Sequence, residues 1–286
     1  MPSVREIGRR IRSVQNTAKI TKAMSMIAAS KMRRAQDMAV KSRPYSDRMR
    51  ELLSDLVAQP QDDDQVHPLL SRRDVKNTCL IVITPDRGLT GGLHSRINRI
   101  AGQFSVEHRA DIKVIAIGKK GRDFVVRTDQ NLKAVFTDLG DRPLITDVTP
   151  VAKLVKDEYI SGQIDDVHVV YARFINTTVQ RVVVEKIIPV EPAQIDPINA
   201  VGYIYEPNSS HVLSELLPRY VEMQLYHAVL ESIASEQSAR MVAMRNATDN
   251  ANDMVEDLTL VMNKVRQESI TKELLDIVGG AAAVGA

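Results

Sequence analysis

Two glycine-bearing loops are the first places to look for chemistry. Asp86-Arg87-Gly88-Leu89-Thr90-Gly91-Gly92 follows an apolar, strand-like run and precedes a helical pattern. Gly118-Lys119-Lys120-Gly121 follows the next such run in the same way. Phosphate loops occur at such places, because a helix N-terminus offers unpaired backbone N–H groups and partial positive charge. Neither loop completes a G-x-G-x-x-G fingerprint, and neither ends in GK[ST]. The glycines read as those of tight strand-to-helix turns, and no bound cofactor is expected. The six histidines, at 67, 94, 108, 168, 211 and 227, show no HxH or HExxH spacing. That spacing predicts no metal site. Cys79 is the sole cysteine, which excludes an internal disulfide. Its apolar surroundings suggest a buried, inert thiol. No Ser-His-Asp set or carboxylate pair stands out, so no catalytic residue is assigned.

Charge gives the next clue. The net charge of the 286 residues is only +2, but residues 1–50 hold thirteen Lys and Arg against Glu6, Asp37 and Asp47. A basic stretch of that kind meets an acidic partner or nucleic acid, unless it is merely a solvated helix face. A nucleic-acid-binding module that uses this helix is the alternative function. Interleaved aromatics, a recognition motif and a basic excess over the whole chain are all lacking, which counts against it. A nucleotide-dependent enzyme is the other rival, disfavoured by the incomplete glycine loops. No stretch approaches eighteen consecutive apolar residues. The N-terminus carries no apolar segment of the secretory kind.

The elements that position these residues are of two kinds. From Leu213 to Ser269, sampling alternately every three and four residues, thirteen of seventeen positions are apolar. A 3.5-residue repeat held this long predicts a coiled-coil seam. The helix is expected from about Ser209 to Val278, capped by Asn208 or Ser209, a rod of roughly 105 Å. Gly279-Gly280 is a stop signal that the Ala281–Ala283 run can override. A second long helix is expected from Ser3 to about residue 57, with Ser3 and Glu6 at capping-box spacing. Its seam is read through Val4, Ile7, Ile11, Val14 and Ala18, then Ile20, Met24, Ile27 and Ala28, then Ala35, Met38, Met49, Leu52, Leu53 and Leu56. Pro44 predicts a bend or break at Arg43–Tyr45. An antiparallel pair would bury both seams, and the longer C-terminal helix should extend beyond its partner. Between them, strands at Thr78–Thr84, Ile112–Ile117, Leu132–Phe136, Val167–Tyr171 and Val179–Ile188 alternate with helices at Leu93–Val106, Lys119–Val126 and Thr149–Ser161. That pattern predicts an open, largely parallel, Rossmann-like sheet. The expected division is 1–58 helix, 59–76 connector, 77–205 α/β domain and 206–286 helix. The fold class is α/β plus a long antiparallel coiled coil.

Three blocks go further. They are Ser13-Val14-Gln15-Asn16-Thr17-Ala18-Lys19-Ile20-Thr21-Lys22-Ala23-Met24 with Ala28-Ala29-Ser30-Lys31-Met32; Ser235 to Met244 with Ala247-Thr248-Asp249-Asn250-Ala251; and Asn263 to Leu274. Together with the loop at 86–92, they closely resemble the gamma subunit of bacterial rotary F-type ATP synthases. The resemblance covers the whole chain; one departure is Thr90, where many members carry Cys. It implies a shaft of two antiparallel helices with an α/β foot. The shaft would transmit torque between a membrane c-ring and a catalytic ring of alpha and beta subunits, and would not be a catalyst itself. It implies contact with alpha, beta, epsilon and the c-ring, no nucleic acid, and peripheral attachment on the cytoplasmic side of the bacterial inner membrane. Carried over residue by residue, Met24, Arg240, Arg266, Gln267 and Thr271 are coupling contacts, and Tyr203, Tyr205 and Glu206 are foot contacts.

Overall fold

The computed structural model describes residues 3–58, 67–108, 110–191, 205–206 and 208–284, with backbone alone at 43, 47, 58 and 279–284. Helix α1 runs Val4–Ala58. Strand β1 (Asn77–Ile83), α2 (Leu93–Glu107), β2 (Asp111–Ile117), α3 (Lys119–Arg127), β3 (Asn131–Phe136), α4 (Ile145–Ile160), β4 (Asp166–Phe174) and β5 (Gln180–Ile188) follow, and α5 spans Ser209–Val284. The described chain forms two compact units, residues 1–27 with 241–286, and residues 28–240.

The larger unit holds a five-stranded sheet in the order β3-β2-β1-β4-β5. The first four strands are parallel, and β5 returns antiparallel to β4. The expected open, largely parallel sheet is therefore present, with one antiparallel edge strand. Period-two alternation sends successive β1 side chains to opposite faces, and both faces are covered. Cys79, Ile81 and Ile83 pack with Leu53 and Leu56 of α1, Val151 and Val155 of α4, and Leu217 and Val221 of α5. Leu80 and Val82 pack with Leu93 and Ile97 of α2 and Val125 of α3. A strand buried on both sides explains the unbroken apolar run CLIVI at 79–83.

Two expectations about proline are corrected. α1 is unbroken through Pro44. Proline inside a helix costs about 3 kcal/mol, but Met49, Leu53 and Leu56 beyond it are 1–3% exposed. Burial worth roughly 1.5–3 kcal/mol per side chain outweighs the lost bond. α4 begins a turn before the expected Thr149, because Asp147 Oδ2 accepts the Leu144 N–H at 2.7 Å. Pro150 thus lies inside the helix rather than at its first position.

In the smaller unit α1 and α5 pair antiparallel. A side chain on Gly8 would meet Met262, Thr21 bonds Thr248, and Ser25 bonds the Met241 carbonyl. Ser3 and Glu6 form the expected reciprocal cap at the start of α1. Asn208 Oδ1 accepts the His211 N–H at 2.7 Å at the start of α5. The glycines at 279–280 do not end α5, which continues to Val284.

Candidate functional site

The two glycine loops lie at the C-terminal ends of β1 and β2, where open sheets bind ligands. Here an internal carboxylate occupies the anion's place. Asp86 Oδ1 accepts the Lys119 N–H at the start of α3 at 2.9 Å, and Oδ2 accepts the Asp138 N–H at 2.9 Å. Gly118 has φ 98, and a Cβ there would meet the Thr84 carbonyl oxygen at 1.9 Å. A Cβ on Gly121 would meet the Thr84 hydroxyl at 2.9 Å, and that hydroxyl accepts the Gly121 N–H at 2.7 Å. These glycines serve chain packing. The remaining cavity, between Asp86, Gly118, Asp138 and Glu236, is about 50 Å³. Sites for drug-sized ligands run to about 300 Å³ and more.

The second candidate is the outer surface of the helix pair in the smaller unit. Its seam differs in detail from the expected one. Ile7, Ile11, Ala18 and Thr21 are buried on α1, in alternating steps of four and three with half-buried Val14 and Ser25. Thr21 Oγ1 and Thr248 Oγ1 lie 2.7 Å apart, and Ser25 Oγ donates to the Met241 carbonyl at 3.1 Å. Ile20 and Ile27, read from sequence as seam residues, are instead 61% and 56% exposed. Their places are taken by small hydroxyl residues, which let two helices approach closely while bonding across the gap. Exposed Met26 joins Ile20 and Ile27, and exposed Arg5, Arg9, Arg10, Arg12, Lys19 and Lys22 surround them along α1. An open groove of about 680 Å³ lies between the helices here, lined by Lys19, Lys22, Met26, Arg245 and Asp249 among others. Apolar groups among cations suit a partner protein's acidic, partly apolar surface.

The site residues expected from sequence are distributed as follows. Met24 is half-buried and flanks the seam. Arg266, Gln267 and Thr271 are exposed on α5. The pairing sets Thr21 level with Thr248, so Arg266 lies about twenty residues, roughly 30 Å, along the pair from Met24. By the same register α1 begins level with about residue 266, and every described side chain from 266 to 278 is exposed. Leu274, Leu275, Ile277 and Val278 are among them, at 57–67%.

Arg240 belongs to the larger unit. It bonds Glu236 one turn back at 2.8 Å and reaches the Gly88 carbonyl at 3.4 Å. Burial raises the Glu236 carboxyl above its ordinary range, against the opposing pull of Arg240. The same structure thus joins the Ser235–Met244 block to the 86–92 loop, a link absent from either sequence pattern alone. Tyr205 is partly buried against the larger core cluster, Glu206 is exposed, and Tyr203 lies outside the described residues. Burial pushes the Cys79 thiol up to about 12, in keeping with an inert residue.

A family model described as ATP synthase matches residues 3–284. The ATP synthase gamma chain of Dehalococcoides mccartyi is 54% identical over 284 residues, covering 99% of this chain and 100% of that one. Those of Roseiflexus castenholzii and Chloroflexus aurantiacus are each 51% identical, covering 99% of both chains. Among solved structures, the Tetrahymena thermophila mitochondrial ATP synthase central stalk and c-ring contains a chain with TM-score 0.61 and 25% identity, covering 80% of this chain and 99% of that one. A chain of the Euglena gracilis mitochondrial ATP synthase in rotational state 3 gives TM-score 0.67 at 18% identity, covering 98% and 94%.

Proposed function

Because this chain belongs to the ATP synthase gamma-chain family, we infer that it is the central rotary shaft of that enzyme. The observation that carries this reading is the antiparallel pairing of α1 with α5 from Gly8–Met262 to Ser25–Met241, in a chain matched from end to end. Two paired helices suit the transmission of torque, and one asymmetric chain presents different faces to repeated partners. The nucleic-acid alternative has no support in the comparisons.

The finer assignments are these. The chain transmits torque between a membrane c-ring and a ring of alpha and beta subunits, and catalysis resides on those partners. The Asp86 carboxylate in the anion seat and the 50 Å³ cavity beside it support a non-catalytic role. The basic α1 surface with Ile20, Met26 and Ile27 meets an acidic surface of beta. The exposed last turns of α5 enter an apolar collar of alpha and beta, because a row of exposed Leu, Ile and Val needs cover. Residues 77–205, with Tyr203 and Tyr205 at their end and Glu206 next to them, form the foot that meets epsilon and the c-ring. The connector is 59–76, and the shaft helices are 1–58 and 206–286. No helix among the described residues is long and apolar enough to cross a membrane. The chain is held at the cytoplasmic side of the bacterial inner membrane through its complex.

A pull-down with tagged chain tests the whole reading. Alpha, beta and epsilon are expected together, and their absence at matched expression overturns it. Met24→Lys tests the coupling role. It is expected to preserve assembly and ATP hydrolysis better than proton-coupled synthesis, because a new cation beside a basic helix gains a carboxylate partner that must be left at each step. An unchanged ratio of synthesis to hydrolysis, at equal enzyme content, removes Met24 from the coupling surface. A cysteine at Glu206 is expected to crosslink to epsilon or the c-ring, and crosslinks to alpha or beta alone would contradict the foot assignment.

A further inference from the structure

We propose that His108, Asp166 and His168 form a binding site for one divalent transition-metal ion of the zinc class. His108 is remote in sequence from the other two and meets them through the fold of the larger unit. Asp166 and His168 stand two apart on β4, so their side chains share one face of the sheet. His108 ends α2, its backbone N–H held by the Phe104 carbonyl at 3.0 Å. Asp166 is the hub. The Thr78 hydroxyl donates to its Oδ1 at 2.7 Å, which fixes the carboxylate and turns Oδ2 towards the imidazoles. His168 Nε2 is 2.9 Å from Oδ2, and His108 Nε2 is 4.0 Å from it. One donor atom from each of the three lies within 4.8 Å of the others. The Phe104 ring lies against both imidazoles, with centroids at 4.6 Å from His108 and 4.9 Å from His168.

The chemistry of this set is selective. Two imidazole nitrogens and one carboxylate oxygen suit Zn²⁺, Co²⁺, Ni²⁺ or Cu²⁺, whereas Mg²⁺ and Ca²⁺ take oxygen ligands. With zinc–ligand bonds of about 2.0–2.1 Å, tetrahedral ligands lie roughly 3.3 Å apart. The Asp166–His168 pair is near that already, and His108 must close by about 0.7 Å on Asp166 and by up to about 1.5 Å on His168. His108 has the freedom to do so, with a side chain 30% exposed at a helix end. Its exposed side also leaves room for water in a fourth position. The Asp166 side chain is only 3% exposed. A buried carboxylate persists where it is paired or coordinates a metal, and this one is held by Thr78 and turned towards two imidazoles that can share a dication with it. The Thr78 hydroxyl supplies the outer-shell bond that such ligands commonly need. Lys186, cross-strand from His168, is the opposing charge, but it is exposed and screened.

The test is a titration of tag-free, metal-stripped, full-length chain with Co²⁺, read by its visible d–d absorption. One equivalent is expected to bind with the spectrum of a low-symmetry nitrogen and oxygen site, and Zn²⁺ is expected to displace it. His108→Ala and His168→Ala should each weaken binding beyond the roughly 10–100-fold that outer-shell changes cost. His108→Ala is the decisive variant, because a partly exposed side chain at a helix end can be removed with the circular dichroism spectrum unchanged. No saturable uptake at one per chain, or equal affinity in that variant, overturns the proposal.

Discussion

The two units are built on opposite solutions to the same problem. In the larger one, large aliphatics such as Leu80, Ile81, Ile115 and Leu217 are fully buried on both sides of a sheet. In the smaller one, two helices share a single narrow seam in which Ala18, Thr21, Thr248 and Ala251 are the inward groups, with Ile and Met towards its ends. The first buries enough apolar surface to hold itself together. The second gains little from area and depends on directional bonds and on side chains small enough to let the helices approach. The difference also appears outside. The sheet's helices leave single apolar side chains exposed, Val106 on α2, Val126 on α3 and Ile160 on α4, whereas the pair gathers Ile20, Met26 and Ile27, and Leu274 and Leu275, into exposed groups. Grouped exposed apolar surface thus lies on the unit that buries the least.

This contrast can be broken at four points. Ile115→Ala in the sheet core should cost about 2–5 kcal/mol, read from the denaturant midpoint of the full chain; a loss no larger than that of a seam variant would remove the distinction. Asp86→Ala should cost about 1–3 kcal/mol, because two backbone N–H groups lose their acceptor. It should also leave calorimetry blind to ATP, since the cavity beside it is too small for a nucleotide. Thr248→Val should cost about 0.5–1.5 kcal/mol, the scale of one hydrogen bond. In a double-mutant cycle with Thr21→Val the two losses should not add, and simple additivity would show that the hydroxyls do not hold the seam. Leu275→Ser should move the stability of the isolated chain by less than about 0.5 kcal/mol. The same change should weaken assembly with alpha and beta, and a chain that assembles unimpaired would leave the tip without its apolar collar.

Much of this was legible in the sequence, for identifiable reasons. The run at 78–84 announces a strand buried on both faces, and the repeat from Leu213 announces a long helix with a seam. What escaped was whatever apolar periodicity alone cannot encode. Ile20 and Ile27 are apolar yet exposed, and Thr21 is polar yet buried, because close helix contact selects for small volume and a hydroxyl bond. Pro44 and Pro150 marked boundaries by local propensity, and tertiary burial and the Asp147 cap overruled them. Asp86 stood in the loop singled out for phosphate binding, but its role as the internal anion depends on Lys119 and Asp138, which the chain order does not bring near it. The His108, Asp166 and His168 cluster escaped because Asp166 and His168 form only a two-residue pair on β4, and the helices and strands from β2 to α4 separate His108 from it.

The hydroxyl bonds of the seam have a mechanical meaning. Two rods joined along their length act as one member only where the joint resists sliding. Apolar contact is non-directional and lets one helix slip past the other. The bonds from Thr21 to Thr248 and from Ser25 to the Met241 carbonyl have fixed addresses on both helices. They work as pins against shear, so a twist applied to one helix is carried by both. The small side chains beside them keep the member thin, and a thin member stores more elastic energy under a given torque than a thick one. The seam thus makes a coupled spring rather than a rigid axle. Removing the pins should soften that spring before anything unfolds, which torsional fluctuations of the assembled rotor would register as a wider angular spread.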